Sequence, residues 1–295
     1  MKNKIRKAVV PAAGFGTRFL PVTKSAPKEM LPIIDRPVIQ YVIEELVDAG
    51  IETIILVTGW HKRAIEDYFD KHFELEHKLK EAGKENELKE IQKISEMANF
   101  IYIRQKEQRG NGDAVLCAKE AIGDEPFIMF WGDDFFEAKP TRAKQLLTAY
   151  DKFESIVMAG YKTTRKEDTL KYGYVGGKEL DGGVMEIEKF IEKPGPDNAP
   201  SDMAIVSGFI FTPDIFEALE RVKVPEGQEL YYTDGVNYLM DKGKKVYAQE
   251  IKNGKYYDCG NVIEYLKTNV DFALKREDIN GEFEEYLLEK VKNLK

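Results

Sequence analysis

Histidine is scarce in this chain of 295 residues: only His61, His72 and His77 occur, all inside one highly charged stretch. A histidine-built metal site or a catalytic triad is therefore not expected, and any metal ion would be held by carboxylates. Cysteine is scarcer still. Cys117 and Cys259 allow one bridge at most, which is no disulfide framework. With no export signal they imply reduced thiols and a cytoplasmic setting. No apolar run approaches the ~20 residues that a membrane helix needs, so no membrane partner is expected. The opening MKNKIRKAVVPAAG is too briefly apolar for a signal segment and runs straight into a glycine loop, so it reads as a first strand. Excess positive charge is missing too. The formal net charge of −8 argues against a nucleic acid partner, because neutralising a phosphate backbone needs a basic surface. A nucleotide ligand stays open, since a handful of local cations suffices for one.

What is present is ordinary for a packed protein, with 43% hydrophobic and 33% charged residues. Short apolar runs at 7–12, 51–58, 100–104, 127–131 and 155–161 read as strands. Residues 37–49 (closed by Gly50), 113–121 and 141–150 read as helices between them. This alternation predicts an α/β fold, a mostly parallel Rossmann-like sheet with helices on both faces. Residues 61–98 form one charged helical region with Gly83 as its obvious break, read as a solvated helical pair. Residues 172–193 read as a β-hairpin around Asp181-Gly182-Gly183, followed by a proline-rich loop at 194–200. No repeat or linker is visible. The whole chain, 1–295, therefore reads as a single domain with a hairpin subdomain and a helical segment near 261–295, packed outside or against a partner.

The segment VVPAAGFGTRFLP, residues 9–21, ends a strand and turns through small residues. Gly14 and Gly16 permit conformations and close approaches that a Cβ would block, and such a loop presents N–H groups to an anion. A lone G-x-G is weak evidence, but Thr17 and Arg18 add a hydroxyl and a phosphate-matching fork. Lys24 and Lys28 follow in the proline-bounded TKSAPKEMLP. Two familiar loops fail. A dinucleotide fingerprint needs a glycine where Phe19 stands and an acidic residue where Thr58-Gly59 stand, which removes a dinucleotide-dependent oxidoreductase. A P-loop needs Gly-Lys-Ser/Thr opening a helix, whereas Gly-Thr-Arg here runs into Phe-Leu-Pro.

The remaining pattern, A-A-G-x-G-T-R-F-L-P-x-T-K-x-x-P-K-E-M-L-P, resembles the sugar-1-phosphate nucleotidyltransferases, and the run Arg36-Pro37-Val38-Ile39-Gln40-Tyr41 extends the match. The charged HKRAIEDYFDKHFELEHKL is similar to the insertion of that family's uridylyl-transferring branch. The resemblance implies a nucleotide-diphospho-sugar transferase fold, with the hairpin as a sugar-binding subdomain. It implies transfer of a uridylyl group from UTP to α-D-glucose 1-phosphate, Mg²⁺ as cofactor, and a homo-oligomer, dimer or tetramer.

By the same resemblance Ala12, Ala13, Gly14, Gly16 and Thr17 hold the nucleotide, and Arg18 and Lys28 contact its phosphates. Gln105 reads the pyrimidine edge, a task that suits a carboxamide carrying both donor and acceptor. Gly110 lets the base lie against backbone. Asp133, after the strand PFIMFW, is the metal ligand, with Asp134 in support and Asp258 of the Tyr257-Asp258-Cys259-Gly260 run as second carboxylate. On the sugar side stand Gly173, Glu192 on the hydroxyls, Lys193 on the sugar phosphate, and Gly208. Neighbouring strand residues point to opposite faces, so Glu192 and Lys193 can serve one site only through a local bend, which Pro194 favours.

The chain departs from the family's common Leu and His at Asn111 and Asp113, from Leu-Pro at Trp131-Gly132, and from Gln-Leu at Tyr231-Tyr232. These leave the reaction class intact and the choice of base and sugar open. Another nucleotide or hexose 1-phosphate is one alternative, and a catalytically silent sugar-nucleotide sensor is another. Retention of Arg18, Lys28, Asp133, Lys193 and Asp258 argues against the sensor.

Overall fold

The computed structural model describes residues 5–293; residues 1–4 and 294–295, which include both ends of the single-domain reading, lie outside the described residues. β1 (Lys7–Ala12) is buried on both sides, with Ala8, Val10 and Ala12 in one apolar cluster and Val9 in the other. After the glycine loop come a short ribbon of β2 (Pro32–Ile33) and β3 (Arg36–Pro37), then the helix Val38–Asp48, which ends before Gly50 at φ 90°. β4 (Thr53–Thr58), β5 (Asn99–Arg104) and β6 (Phe127–Met129) join β1 in the parallel order β5-β4-β1-β6. This half is the expected parallel sheet.

The other half differs. Beyond β7 (Asp134–Ala138) the chain forms β8 (Val157–Lys162), β9 (Gly173–Leu180), β10 (Val184–Ile191), β11 (Met203–Phe211) and β12 (Tyr247–Glu250). The nine-stranded order is β5-β4-β1-β6-β11-β8-β12-β10-β9, and β9 also pairs with β11. Within the second half only β8 and β12 are parallel. The sheet is therefore mixed rather than mostly parallel. Its physical reason is visible in the hairpin: β9 and β10 are joined by Asp181-Gly182-Gly183, with Leu180 opposite Val184, and so short a link allows only antiparallel pairing.

Helices do cover both faces. Val38–Asp48 and Arg142–Phe153 pack on one apolar cluster; Asn111–Cys117, Asp214–Arg221 and Tyr232–Asp241 pack on the other. The charged stretch is three helices rather than two: Arg63–Phe69, Phe73–Glu81 and Glu85–Glu96. The unforeseen break lies at 70–72, where His72 Nδ1 accepts the Leu75 N–H at 3.2 Å and caps the second helix. A separate antiparallel ribbon pairs β13 (Gly254–Asp258) with β7, and helices Val262–Lys275 and Asn280–Asn293 follow. Among the described residues no helix is long and apolar enough to cross a membrane.

Candidate active site

The loop after β1 winds through short 3-10 turns at Thr17–Phe19, Val22–Lys24 and Lys28–Met30. Gly16 stands at φ 66°, and a Cβ there would lie 3.2 Å from both Lys28 Cβ and Thr23 Cγ2. Glycine thus lets the loop cross close to Lys28. The Lys28 ammonium meets Asp133 Oδ2 at 2.5 Å. Burial alone would lower the pKa of Lys28, but the Asp133 and Glu29 carboxylates outweigh it and raise the pKa above the usual lysine value. Glu29 in turn pairs with Lys62 at 2.8 Å, with both side chains only 1% exposed.

Two cavities of about 440 and 330 Å³ open beside this loop, and Arg18, Asn111, Trp131 and Asp133 line both. They are one cleft with a waist. The larger half is walled by Ala13, Gly14, Lys28, Gln105, Gln108 and Gly110. The smaller half is walled by Lys171, Tyr172, Gly173, Glu192, Tyr232, Tyr256 and Asp258, among others. Aromatic rings form part of its lining: Tyr232 packs on Phe209 at 4.7 Å between centroids and on Trp131 at 5.9 Å.

At the waist two carboxylates converge. A Cβ on Gly260 would lie 2.6 Å from Asp133 Oδ2 and 3.2 Å from Asp258 Oδ1, so only glycine leaves room for both oxygens. Asp258 Oδ1 accepts the Gly260 N–H at 3.0 Å, and Oδ2 accepts the Tyr172 hydroxyl at 3.0 Å. Burial and the neighbouring Asp133 push the Asp258 pKa up. Among the described residues no three His, Cys, Asp or Glu side chains make a complete metal cage. Two converging carboxylates suit a hard cation that completes its shell with phosphate oxygens and water.

Asp134 is turned inward. It accepts from Arg142 Nη1 at 3.2 Å and from the Tyr256 hydroxyl at 3.2 Å, and burial raises its pKa to about 7 against the pull of Arg142. Arg142 is fully buried: it meets Glu45 at 2.9 Å, donates to Ser207 O at 2.8 Å and lies 3.7 Å over the Phe130 ring.

The expected site residues do not all reach the cleft. Ala13, Gly14, Arg18, Lys28, Gln105, Gly110, Asp133, Gly173, Glu192 and Asp258 line it. Ala12 is buried at the end of β1, while Gly16 and Thr17 are not part of the wall. Gly208, at φ 126°, packs away from it: a Cβ would lie 2.9 Å from Ala159 Cβ and 3.0 Å from Arg142 Cδ. Its neighbours Ser207 and Phe209 line the cavity instead. Lys193 makes the expected bend, at φ 45°, and its N–H donates to Tyr172 O at 3.2 Å. Its side chain is about half exposed and 3.9 Å from Glu192, beside the cavity; the cations that line this half are Arg18 and Lys171.

Gln105 carries a second correction. Its Nε2 donates to Asp113 Oδ2 at 2.8 Å and to Gly110 O at 3.2 Å, so the donor half of the carboxamide is already engaged. Gly110, at φ 109°, owes its lack of a side chain to Leu230, whose carbonyl oxygen would stand 2.3 Å from a Cβ. The loop at 110–112 is strapped to the 230–232 segment. Gly112 N–H donates to Leu230 O at 2.9 Å, and Tyr232 N–H donates to Asn111 Oδ1 at 2.8 Å.

Sequence reasoning missed Glu29, Lys62, Gln108, Arg142 and Lys171. Gln108, whose Nε2 donates to Ala13 O at 2.6 Å, had a signal in its place three residues after Gln105. The others look like ordinary surface charges.

Residues 7–274 match the family described as nucleotidyl transferase. A UTP–glucose-1-phosphate uridylyltransferase of Bacillus subtilis is 45% identical over 291 residues, covering 98% of this chain and 99% of that protein. One of Streptococcus pneumoniae serotype 4 is 44% identical over 299 residues, covering 100% and 99%. Among solved structures, a UTP-bound UGPase from Acinetobacter baumannii superposes with a TM-score of 0.88 at 34% identity, covering 97% of this chain and 99% of that one. A UDP-glucose pyrophosphorylase complexed with UDP-glucose gives 0.83 at 41% identity, covering 92% and 100%.

Proposed function

The chain belongs to the nucleotidyl transferase family, and we propose that it transfers a uridylyl group from UTP to α-D-glucose 1-phosphate, giving UDP-glucose and pyrophosphate. The observation that carries this reading is the two-chambered cleft whose halves meet at Arg18 and Asp133. Such a shape suits two anionic substrates that react at one point. Near-full-length likeness to uridylyltransferases supports the choice of both.

The problem in this reaction is charge. A sugar phosphate oxygen must approach the α-phosphorus of a nucleotide that already carries about four negative charges. Arg18 and Lys28 meet the nucleotide phosphates and take up charge on the departing pyrophosphate. Gln105 and Gly110 meet the base, and Ala13 and Gly14 present backbone to the nucleotide. Glu192, buried enough that its pKa is raised, takes sugar hydroxyls beside Gly173. Lys193 stands at the side of the same chamber, and a flexible four-carbon stem lets it reach the sugar phosphate. Asp133 and Asp258 would hold Mg²⁺, which when bound supplies charge neutralisation at the α-phosphate. Asp134 and Arg142 fix the waist from behind.

The new bond forms between the sugar phosphate oxygen and the α-phosphorus. The bond to the α,β-bridging oxygen breaks, and pyrophosphate leaves with its electron pair. No general base is needed, because the second ionisation of a phosphate monoester lies near pH 6. That fits a site without histidine. Ordering the two reactants contributes roughly 7–11 kcal/mol towards the barrier.

We place the protein in the cytoplasm as one nucleotidyltransferase domain that assembles as a homo-oligomer, dimer or tetramer. The exposed Ile263, Leu266, Tyr286 and Leu288 on the last two helices support burial against another copy, and sedimentation measures it. Pyrophosphate release with UTP, measured against a panel of sugar 1-phosphates, tests the activity. Release with glucose 1-phosphate well above the rest is expected, and release with none of them contradicts the reading.

A further inference from the structure

Two acceptors and one amide decide what the base chamber can offer. Both hydrogens of Gln105 Nε2 are committed, one to Asp113 Oδ2 at 2.8 Å and one to Gly110 O at 3.2 Å. A carboxylate and a carbonyl can only accept, so the orientation of this carboxamide is dictated by its partners. Turning it over would press Oε1 against both oxygens in a buried place, with Gln105 only 6% exposed. Asp113 has a second partner, since the Arg109 guanidinium meets its Oδ1 at 3.0 Å. The Gly110 carbonyl belongs to a loop tied down on both sides, by Leu230 N–H to Arg109 O at 2.8 Å and by Gly112 N–H to Leu230 O at 2.9 Å.

From this geometry we infer that Asp113 is a positioning residue that holds Gln105 with Oε1 toward the nucleotide chamber, so that the site selects a pyrimidine with an imino N–H, uracil or thymine, over cytosine. The inference rests on the reading that Gln105 meets the base. Uracil and thymine carry a hydrogen on N3, which Oε1 accepts. Cytosine carries a lone pair there and meets Oε1 with repulsion. A site built to bond an N–H rejects the analogue that lacks it, because a buried acceptor is left without a partner. A carboxamide free to rotate would present its NH₂ to cytosine and lose this discrimination. Asp113 is one of the positions at which the chain departs from the residue its resemblance led us to expect.

The test compares kcat and KM for UTP, dTTP and CTP in the parent, Gln105→Ala and Asp113→Asn, with glucose 1-phosphate saturating. The parent should use UTP and dTTP and prefer UTP over CTP by about 10²-fold or more. Asp113→Asn keeps shape but no longer demands a donor from Gln105. It should raise KM for UTP about tenfold, move kcat little, and reduce the UTP-to-CTP preference about tenfold. A general structural defect would lower kcat for all three nucleotides together and leave their ratio alone. If Gln105→Ala collapses the preference while Asp113→Asn keeps it within twofold, the positioning role is overturned and the base reading survives. If Gln105→Ala leaves the preference intact, the base is read elsewhere and both fall. Should Asp113→Asn fail to fold, the parent still decides: comparable use of CTP and UTP overturns the inference.

Discussion

The two chambers of the cleft are held in different ways. In the nucleotide chamber several polar side chains of the wall are bonded to a partner within the protein. Lys28 meets Asp133, Gln105 meets Asp113, and Gln108 donates to Ala13 O. The lysine also lies next to the buried Glu29–Lys62 pair. In the sugar chamber Glu192 and Lys193 share a 3.9 Å contact, and Lys193 is about half in solvent. Groups already in position bind without a further ordering cost, whereas a mobile lysine gives up rotamer freedom on contact. The groups proposed for the nucleotide are therefore largely held in place, whereas on the proposed sugar side Asp258 is held by Tyr172 and Gly260 while Lys193 is free to move.

The largest expected effect lies under the waist that both chambers share. Arg142→Ala leaves Glu45 and Asp134 buried without their partner, and should cost about 3–5 kcal/mol of stability. A shift in denaturant midpoint measures it, and a loss below about 1 kcal/mol would mean that the cluster relaxes and does not support the waist. Asp133→Asn removes one charge from the waist while keeping shape. Turnover should fall by roughly 10²-fold at saturating Mg²⁺, and turnover within about twofold of the parent removes Asp133 from the chemistry.

The two lysines separate the chambers by substrate. Lys28→Ala should weaken UTP by one to two decades, the scale of losing a charge-assisted contact of about 1.5–3 kcal/mol, and spare glucose 1-phosphate. Lys193→Ala should weaken glucose 1-phosphate instead. Its effect should stay below about tenfold and shrink as salt is added, because an exposed cation is screened. Calorimetry on each variant, with a non-reactive nucleotide present for the sugar, reads both; equal loss of both ligands in both variants erases the distinction between chambers. The smallest effect belongs to Glu192→Gln, which should change preference among sugar 1-phosphates severalfold with phosphate affinity retained.

The same contrast governs what could be read from sequence. Half of the nucleotide chamber's wall lies in two short segments, from Ala13 to Lys28 and from Gln105 to Gly110, which are also the segments that carry the family resemblance. The sugar chamber draws on Lys171, Glu192, Ser207, Tyr232 and Asp258, which lie far apart in sequence and come together only through the mixed sheet. The strands read at 7–12, 51–58, 100–104, 127–131 and 155–161 and the hairpin at 172–193 were legible to within a few residues, whereas β7, β12 and β13 were not read and β11 was given no bounds. Strand order was not legible, since an apolar run such as MAIVSGFIF in β11 looks alike in parallel and antiparallel surroundings. Arg142 and Lys62 read as surface charges because their partners, Glu45 and Glu29, lie 97 and 33 residues away. Gly208 was assigned to the sugar for want of a way to see its positive φ and the Arg142 side chain beside it.

Labelled UTP distinguishes attack at the α-phosphorus from every other outcome. UTP labelled on the α-phosphate, incubated with Mg²⁺ and glucose 1-phosphate, should pass its label to UDP-glucose, while label on the γ-phosphate should appear only in pyrophosphate. Transfer of γ-label to the sugar, or α-label released as UMP without a sugar nucleotide, would contradict uridylyl transfer by attack at the α-phosphorus.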